Sequence, residues 1–157
     1  MKNIIIASTS TVHGSEYLEY LLDELSVFFK EVNTILFIPY ARPSGMSHDA
    51  YTEKVKEAFS KIKKTVTGIH NFENPVLAVE KAEAIFVGGG NTFVLLNQLY
   101  KHNLLSVLKQ TVNKGTPYLG TSAGSNICGL TIKNTNDMPI MYPPNFTALG
   151  LVSFNLN

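Results

Sequence analysis

Residues 120–124 read Gly-Thr-Ser-Ala-Gly, and the spacing G-x-S-x-G is that of a serine held on a sharp turn between a strand and a helix. The small neighbours of Ser122 let the backbone make such a turn. The apolar run Pro117-Tyr118-Leu119 before it and the helix-compatible segment Ala123 to Cys128 after it supply the context. Two roles compete for Ser122: a nucleophile for acyl transfer, or a helix N-cap. A nucleophilic serine needs a base, usually histidine. The four histidines, His13, His48, His70 and His102, all lie upstream. His13 sits beside Gly14 in a strand-to-helix loop, where contact with Ser122 is conceivable. The other three read as exposed polar residues: His48 at a helix start, His70 at a strand end, His102 between two helices.

A second chemistry-bearing stretch is Gly88-Gly89-Gly90-Asn91-Thr92. Three glycines permit close backbone approach, and free amides at a helix start suit an anion, either a phosphate or the oxyanion of an acyl-transfer intermediate. A plain glycine turn with Asn91 or Thr92 as N-cap fits equally well. The segment has neither the Lys-Ser/Thr of a P-loop nor the spacing G-x-G-x-x-G. In the polar run Asn134 to Pro139, Asp137 has the chemistry to orient a histidine or hold a substrate amine. An Asx-turn in a surface loop is the simpler reading. Arg42, the single arginine, follows a strand and is suited to a substrate carboxylate or to solvent. Cys128 reads as a small core residue.

These residues need a scaffold, and the pattern of apolar runs describes one. Ile4-Ile5-Ile6, Thr34 to Pro39, Val66 to Ile69, Ala84 to Val87 and Pro117 to Leu119 are short and largely without alternation, as in strands buried on both faces. Between them, Glu16–Lys30, Asp49–Lys63, Asn91–Lys101 and Leu104–Val112 carry helical periodicity. The order β-α-β-α-β-α-β-α-α-β-α predicts an α/β fold with a doubly wound, mainly parallel sheet. Such a sheet binds ligands at the carboxyl ends of its strands, which puts both glycine-rich loops, His13 and Arg42 on one edge. Leu151 to Asn157 alternates apolar and polar residues like a final strand. A domain rarely finishes on an uncapped strand, so the expectation is a single α/β domain over 1–157, incomplete at its C-terminus.

Composition narrows the function classes. The chain has 157 residues, 45% of them hydrophobic and 16% charged, with a net charge of +1. That is an ordinary globular balance, with no electrostatic case for nucleic acid or an anionic membrane. One cysteine allows no internal disulfide and no cysteine-based zinc site. The N-terminal apolar run is too short for a signal peptide or a membrane span. These features point to a cytoplasmic protein.

Several blocks are specific enough to carry a resemblance: FIPYA (37–41), DAYTEKV (49–55), VTGIH (66–70), VGGGNTFVLLNQL (87–99), GTSAGSN (120–126) and TNDMPI (135–140). Together they resemble peptidase E, the aspartyl dipeptidase family of serine peptidases, from residue 1 to the last. The resemblance implies a flavodoxin-like fold related to class I glutamine amidotransferases. It implies cleavage of dipeptides with an N-terminal aspartate, without metal or other cofactor. It implies Ser122 as nucleophile, Asp137 as a charge-relay aspartate (a place for which a downstream glutamate also has a claim), and oxyanion or substrate contacts at Gly89, Gly90, Asn91 and Ala123. The family's histidine follows a strand resembling LVSFNLN in an Asn-Pro-His context. The matching asparagine is Asn157, so the base is expected just beyond it, and residues 1–157 alone are expected to be inactive. The implied partners are small Asp-X dipeptides. Oligomeric state is open, a homodimer included. The alternatives are an inactive small-ligand-binding protein of the same fold and a cyanophycinase-like sister peptidase, and TNDMPI favours the dipeptidase branch over the latter.

Overall fold

A computed structural model describes residues 1–42 and 44–157. Five strands, β1 (Ile4–Ala7), β2 (Thr34–Ile38), β3 (Thr65–Gly68), β4 (Ile85–Val87) and β5 (Tyr118–Thr121), form one sheet. The strand order is β1-β5-β4-β2-β3, and every pairing is parallel. The helices are α1 (Leu22–Phe28), α2 (His48–Ser60), α3 (Pro75–Glu80), α4 (Thr92–Lys101), α5 (Leu104–Asn113) and α6 (Ala123–Asn126). Short 3-10 turns at Glu19–Leu21 and Ile69–Asn71 complete the regular structure.

The central strands β2, β4 and β5 lack an apolar-polar alternation because both their faces are covered, whereas the edge strand β3 alternates, with Thr65 and Thr67 exposed. Phe37, Phe86 and Leu119 pack on one side with Leu25 of α1 and Val55 and Phe59 of α2. Ile38, Val87 and Tyr118 pack on the other side with Val79, Leu95, Leu104 and Ala123, from α3 to α6. Crossovers toward β3 use the first face and crossovers back toward β1 use the second, as right-handed βαβ connections require.

This winding creates two crevices at the carboxyl edge. β1 and β5 are neighbours, but the chain leaves β1 toward one face and β5 toward the other. β2 and β4 have the same relation. Crevices of this kind are where open α/β sheets bind ligands. The loop after β4 lies between the two.

The alternating tail is not a strand. Residues 151–154 form bends, and 155–157 have no regular structure. The backbone amides of Leu151 and Val152 both donate to Cys128 O, at 2.8 and 3.1 Å, so they are spent on the exit of α6. Leu151 is buried, and Val152 and Leu156 pack against the same core cluster. Gly150 turns the chain into this path at φ 59°. The first predicted helix is also shorter than its periodicity: only Leu22–Phe28 is α-helical, after the left-handed Leu18 and the 3-10 turn. Among the described residues, no helix is long and apolar enough to cross a membrane.

Candidate active site

Ser122 stands between the last residue of β5 and the first of α6, at φ 50° and ψ −112°. Left-handed backbone at a non-glycine residue is strained, by about 1–3 kcal/mol, and persists only where the surroundings enforce it. Here they do. The Ser122 amide donates to Ala7 O at 2.9 Å, extending the β1–β5 pairing by one bond. Its carbonyl accepts from Ser125 N at 2.8 Å and Asn126 N at 2.9 Å, which starts the helix. The Ser125 hydroxyl, buried, donates within 2.7 Å of Ala7 O and 2.8 Å of Gly120 O and ties the turn to both strands. The Ser122 side chain caps nothing in α6 and has no hydrogen-bond partner among the described residues. The N-cap role is therefore not the one it plays.

The two motif glycines are required by space. A Cβ on Gly124 would lie 2.1 Å from Val87 O, and one on Gly120 would lie 2.4 Å from Gly124 O. The turn is thus pressed onto β4 by backbone contact. The same pressure brings the loop after β4 to the serine: a Cβ on Gly89 would lie 3.0 Å from Ser122 Cβ and 3.7 Å from its Oγ.

That loop is held on both sides. Gly90 has φ 150°, and a Cβ there would strike Ala41 O at 2.2 Å. Tyr51, buried on α2, donates its hydroxyl to Gly89 O at 3.2 Å. Asn91 is the N-cap of α4, accepting from Val94 N, and its Nδ2 donates to Met138 O at 2.8 Å. The Asn91 amide donates to Ala41 O at 2.7 Å. It is therefore not free for an oxyanion as expected, and Asn91 instead fixes the loop. The amides of Gly89, Gly90 and Ala123 have no backbone acceptor among the described residues.

Asp137 comes back to this edge. Its Oδ2 accepts from Thr92 N at 2.7 Å, at the start of α4. It shares with Ser122 a cavity of about 260 Å³, whose wall also includes Ser8, Asn126 and Asn157. Asn157 Oδ1 accepts from Asn136 N at 3.0 Å, so the end of the tail braces the Asp137 loop. Asn126 Nδ2 donates to Thr92 Oγ1 at 3.1 Å, joining α6 to α4. The residues alone favour a surface loop for Asp137, and the family resemblance a relay role; its bond to Thr92, distant in sequence, is not legible from either.

Cys128 is no rival nucleophile: burial pushes its thiol up to about 12, an effect partly offset by the Tyr118 hydroxyl. Among the described residues, no group of three or more His, Cys, Asp or Glu side chains is arranged to hold a metal ion.

The histidines are elsewhere. His13 is exposed. His48, His70 and His102 are half-buried rather than exposed, gathered around the buried Tyr40 ring. Tyr40 lies 5.1 Å from His102 in a stacked arrangement and 5.3 Å from His48, and His48 lies 5.3 Å from His70. His70 Nε2 is paired with Asp49 Oδ1 at 2.8 Å. Burial first, then the neighbouring His70, lowers the His48 pKa. Burial first, then Lys101, lowers that of His102. Both groups bind protons more weakly folded than unfolded, so stability is intact above the unfolded histidine value of about 6.5 and falls as pH drops below it. The thermal midpoint should fall between pH 7.5 and pH 5.5. Replacing His48 and His102 by Gln should flatten that dependence, and an unchanged slope in the double variant would remove the cluster as its cause.

The α/β fold with its parallel sheet agrees with what comparison with known proteins finds. Residues 4–157 match the model of peptidase family S51, and the chain belongs to that family. It is 46% identical over 155 residues to a protein named Peptidase E from Shewanella denitrificans, covering 99% of this chain and 66% of that one. It is 45% identical over 159 residues to a "Probable alpha-aspartyl dipeptidase" of Drosophila melanogaster, covering 99% and 65%. The chain therefore spans a little less than two thirds of these relatives' length. A crystal structure titled as a putative peptidase E protein from Listeria monocytogenes superposes with a TM-score of 0.71 at 25% identity, over 99% of this chain and 77% of that one.

Proposed function

We propose that this chain carries the nucleophile half of a serine dipeptidase that hydrolyses dipeptides with an N-terminal aspartate. The observation that carries the reading is Ser122, strained at φ 50°, unpartnered at its hydroxyl and set against the Gly89 loop. The names of the Shewanella and Drosophila relatives support the substrate class.

In the reaction, Ser122 Oγ attacks the peptide carbonyl carbon while a base takes the hydroxyl proton. The amides of Ala123 and of Gly89 or Gly90 receive the oxyanion, and their fixed directions supply the stabilisation without reorganisation. The proton then passes to the leaving amine, and water hydrolyses the aspartyl ester. Asp137 shares the Ser122 cavity and serves as the relay carboxylate or as a receiver of the substrate ammonium. No histidine hydrogen-bonds Ser122 among the described residues, and three of the four are committed around Tyr40. In this reading the base is the family's histidine, which the family resemblance puts after the asparagine matching Asn157. The protein is cytoplasmic in this reading, and its partners are small peptides.

The test compares Asp-Leu hydrolysis by residues 1–157 with hydrolysis by a chain completed with the remaining part of the Shewanella denitrificans relative. Negligible turnover by the first and ready turnover by the second support the reading, with Asn-Leu a poor substrate. Full activity in the 157-residue chain contradicts the external base. Equal rates on Asp-Leu and Asn-Leu contradict the aspartate preference.

A further inference from the structure

We propose that Arg42 receives a carboxylate of the peptide substrate, an inference that rests on the dipeptidase reading above. Arg42 follows β2, at the second of the two crevices, across from the loop after β4. The preceding Ala41 carbonyl is in direct contact with that loop, accepting from Asn91 N at 2.7 Å and closing on Gly90. The other side of the same loop touches Ser122. Arg42 is thus separated from the nucleophile by one glycine loop, on the edge where ligands of such sheets bind.

The side chain is poised there without an acid. Its guanidinium lies 4.8 Å from the centre of the Tyr51 ring, the tyrosine whose hydroxyl holds Gly89 O. Arg42 is half-buried, and its Nε is fully buried with no hydrogen-bond partner. No ion pair to Arg42 is formed among the described residues. A partly desolvated guanidinium normally has a carboxylate to offset the lost hydration, and ring stacking offsets only part of it. The planar fork matches a carboxylate bidentately, and carboxylates are the anionic groups that a dipeptide offers. An Asp-X dipeptide has two carboxylates, the aspartate side chain and the C-terminus. It is short enough that either lies within a few bonds of the scissile carbonyl held at Ser122.

The test measures binding of Asp-Leu, Asn-Leu and Asp-leucinamide to the 157-residue protein by calorimetry. The unmodified chain is expected to bind Asp-Leu about tenfold or more tightly than one of the two neutralised peptides, the worth of one charge-assisted hydrogen bond. Weak Asn-Leu identifies the side-chain carboxylate, and weak Asp-leucinamide identifies the C-terminal one. Arg42→Gln should abolish that preference while the other neutralised peptide is unaffected. Arg42→Lys keeps the charge but loses the fork, and should lower the preference by about threefold or more. This second variant decides the matter should the first not fold. A preference retained in full by either folded variant overturns the role of Arg42 and leaves the dipeptidase reading in place. An unmodified chain that binds none of the three peptides, or all three equally, overturns the role of Arg42, while the dipeptidase reading stands or falls on hydrolysis by the completed chain.

Discussion

Replacing Ser122 by Ala will lower kcat for Asp-Leu by about 10⁴-fold or more in the chain completed with the remaining part of its Shewanella relative. The loss falls on kcat because the hydroxyl makes its bond to substrate only along the reaction path. The amides of Gly89, Gly90 and Ala123 stay in place, so substrate binding and a small residual rate survive. The substitution should leave stability nearly unchanged. Ser122 caps nothing in α6 and its side chain has no partner, so its loss removes no contact. The strain at φ 50° belongs to the backbone and Cβ, which alanine retains, so it is not relieved by this substitution. Steady-state kinetics and a thermal melt on the same preparation check both halves. A variant that is inactive because it has unfolded would show a lowered melting point instead.

The second large effect is structural. Gly124→Ala should destabilise the chain by about 3 kcal/mol, the upper end of ordinary overpacking, because the new methyl would meet Val87 O at 2.1 Å and Val87 C at 2.8 Å. Neither atom belongs to a flexible side chain. α6 would have to move off β4 and take the Ser122 turn with it. In a domain of this size that is a fall of roughly 6–12 °C in melting point. Activity in the completed chain should fall as well, since the oxyanion donors and the nucleophile sit on the two surfaces being pushed apart. A melting point within about 2 °C of the unmodified chain, measured by calorimetry, would show that the contact relaxes cheaply.

The parts of the fold that were legible are those with local causes. β2, β4 and β5 are short apolar runs because they are covered on both faces, while the edge strand β3 alternates, and the glycines around Ser122 and after β4 mark backbone contacts. The β-α order followed, and with it the edge on which the site lies. The tail misled because LVSFNLN has the period of a strand. Whether such a segment pairs depends on a free sheet edge nearby, and its amides are taken instead by the exit of α6. The histidine cluster was illegible for a related reason: His48, His70 and His102 look polar one at a time, and only the fold brings the start of α2 and the exits of β3 and α4 around Tyr40, just past β2. Asn91 was half legible. Its side chain was readable as a cap, but the contact that removes its amide from the oxyanion set comes from Ala41, fifty residues upstream in chain order.

The central claim, that the strained Ser122 is the reacting group, is tested most directly by covalent trapping. The completed chain is incubated with an aspartyl aryl phosphonate, and the modified peptide is located by tandem mass spectrometry. One phosphonyl group should be found on Ser122, its formation should be slowed by excess Asp-Leu, and it should be absent from Ser122→Ala. Hydrolysis of Asp-Leu that continues while Ser122 remains unmodified, or an adduct on another side chain that abolishes activity, would contradict the account.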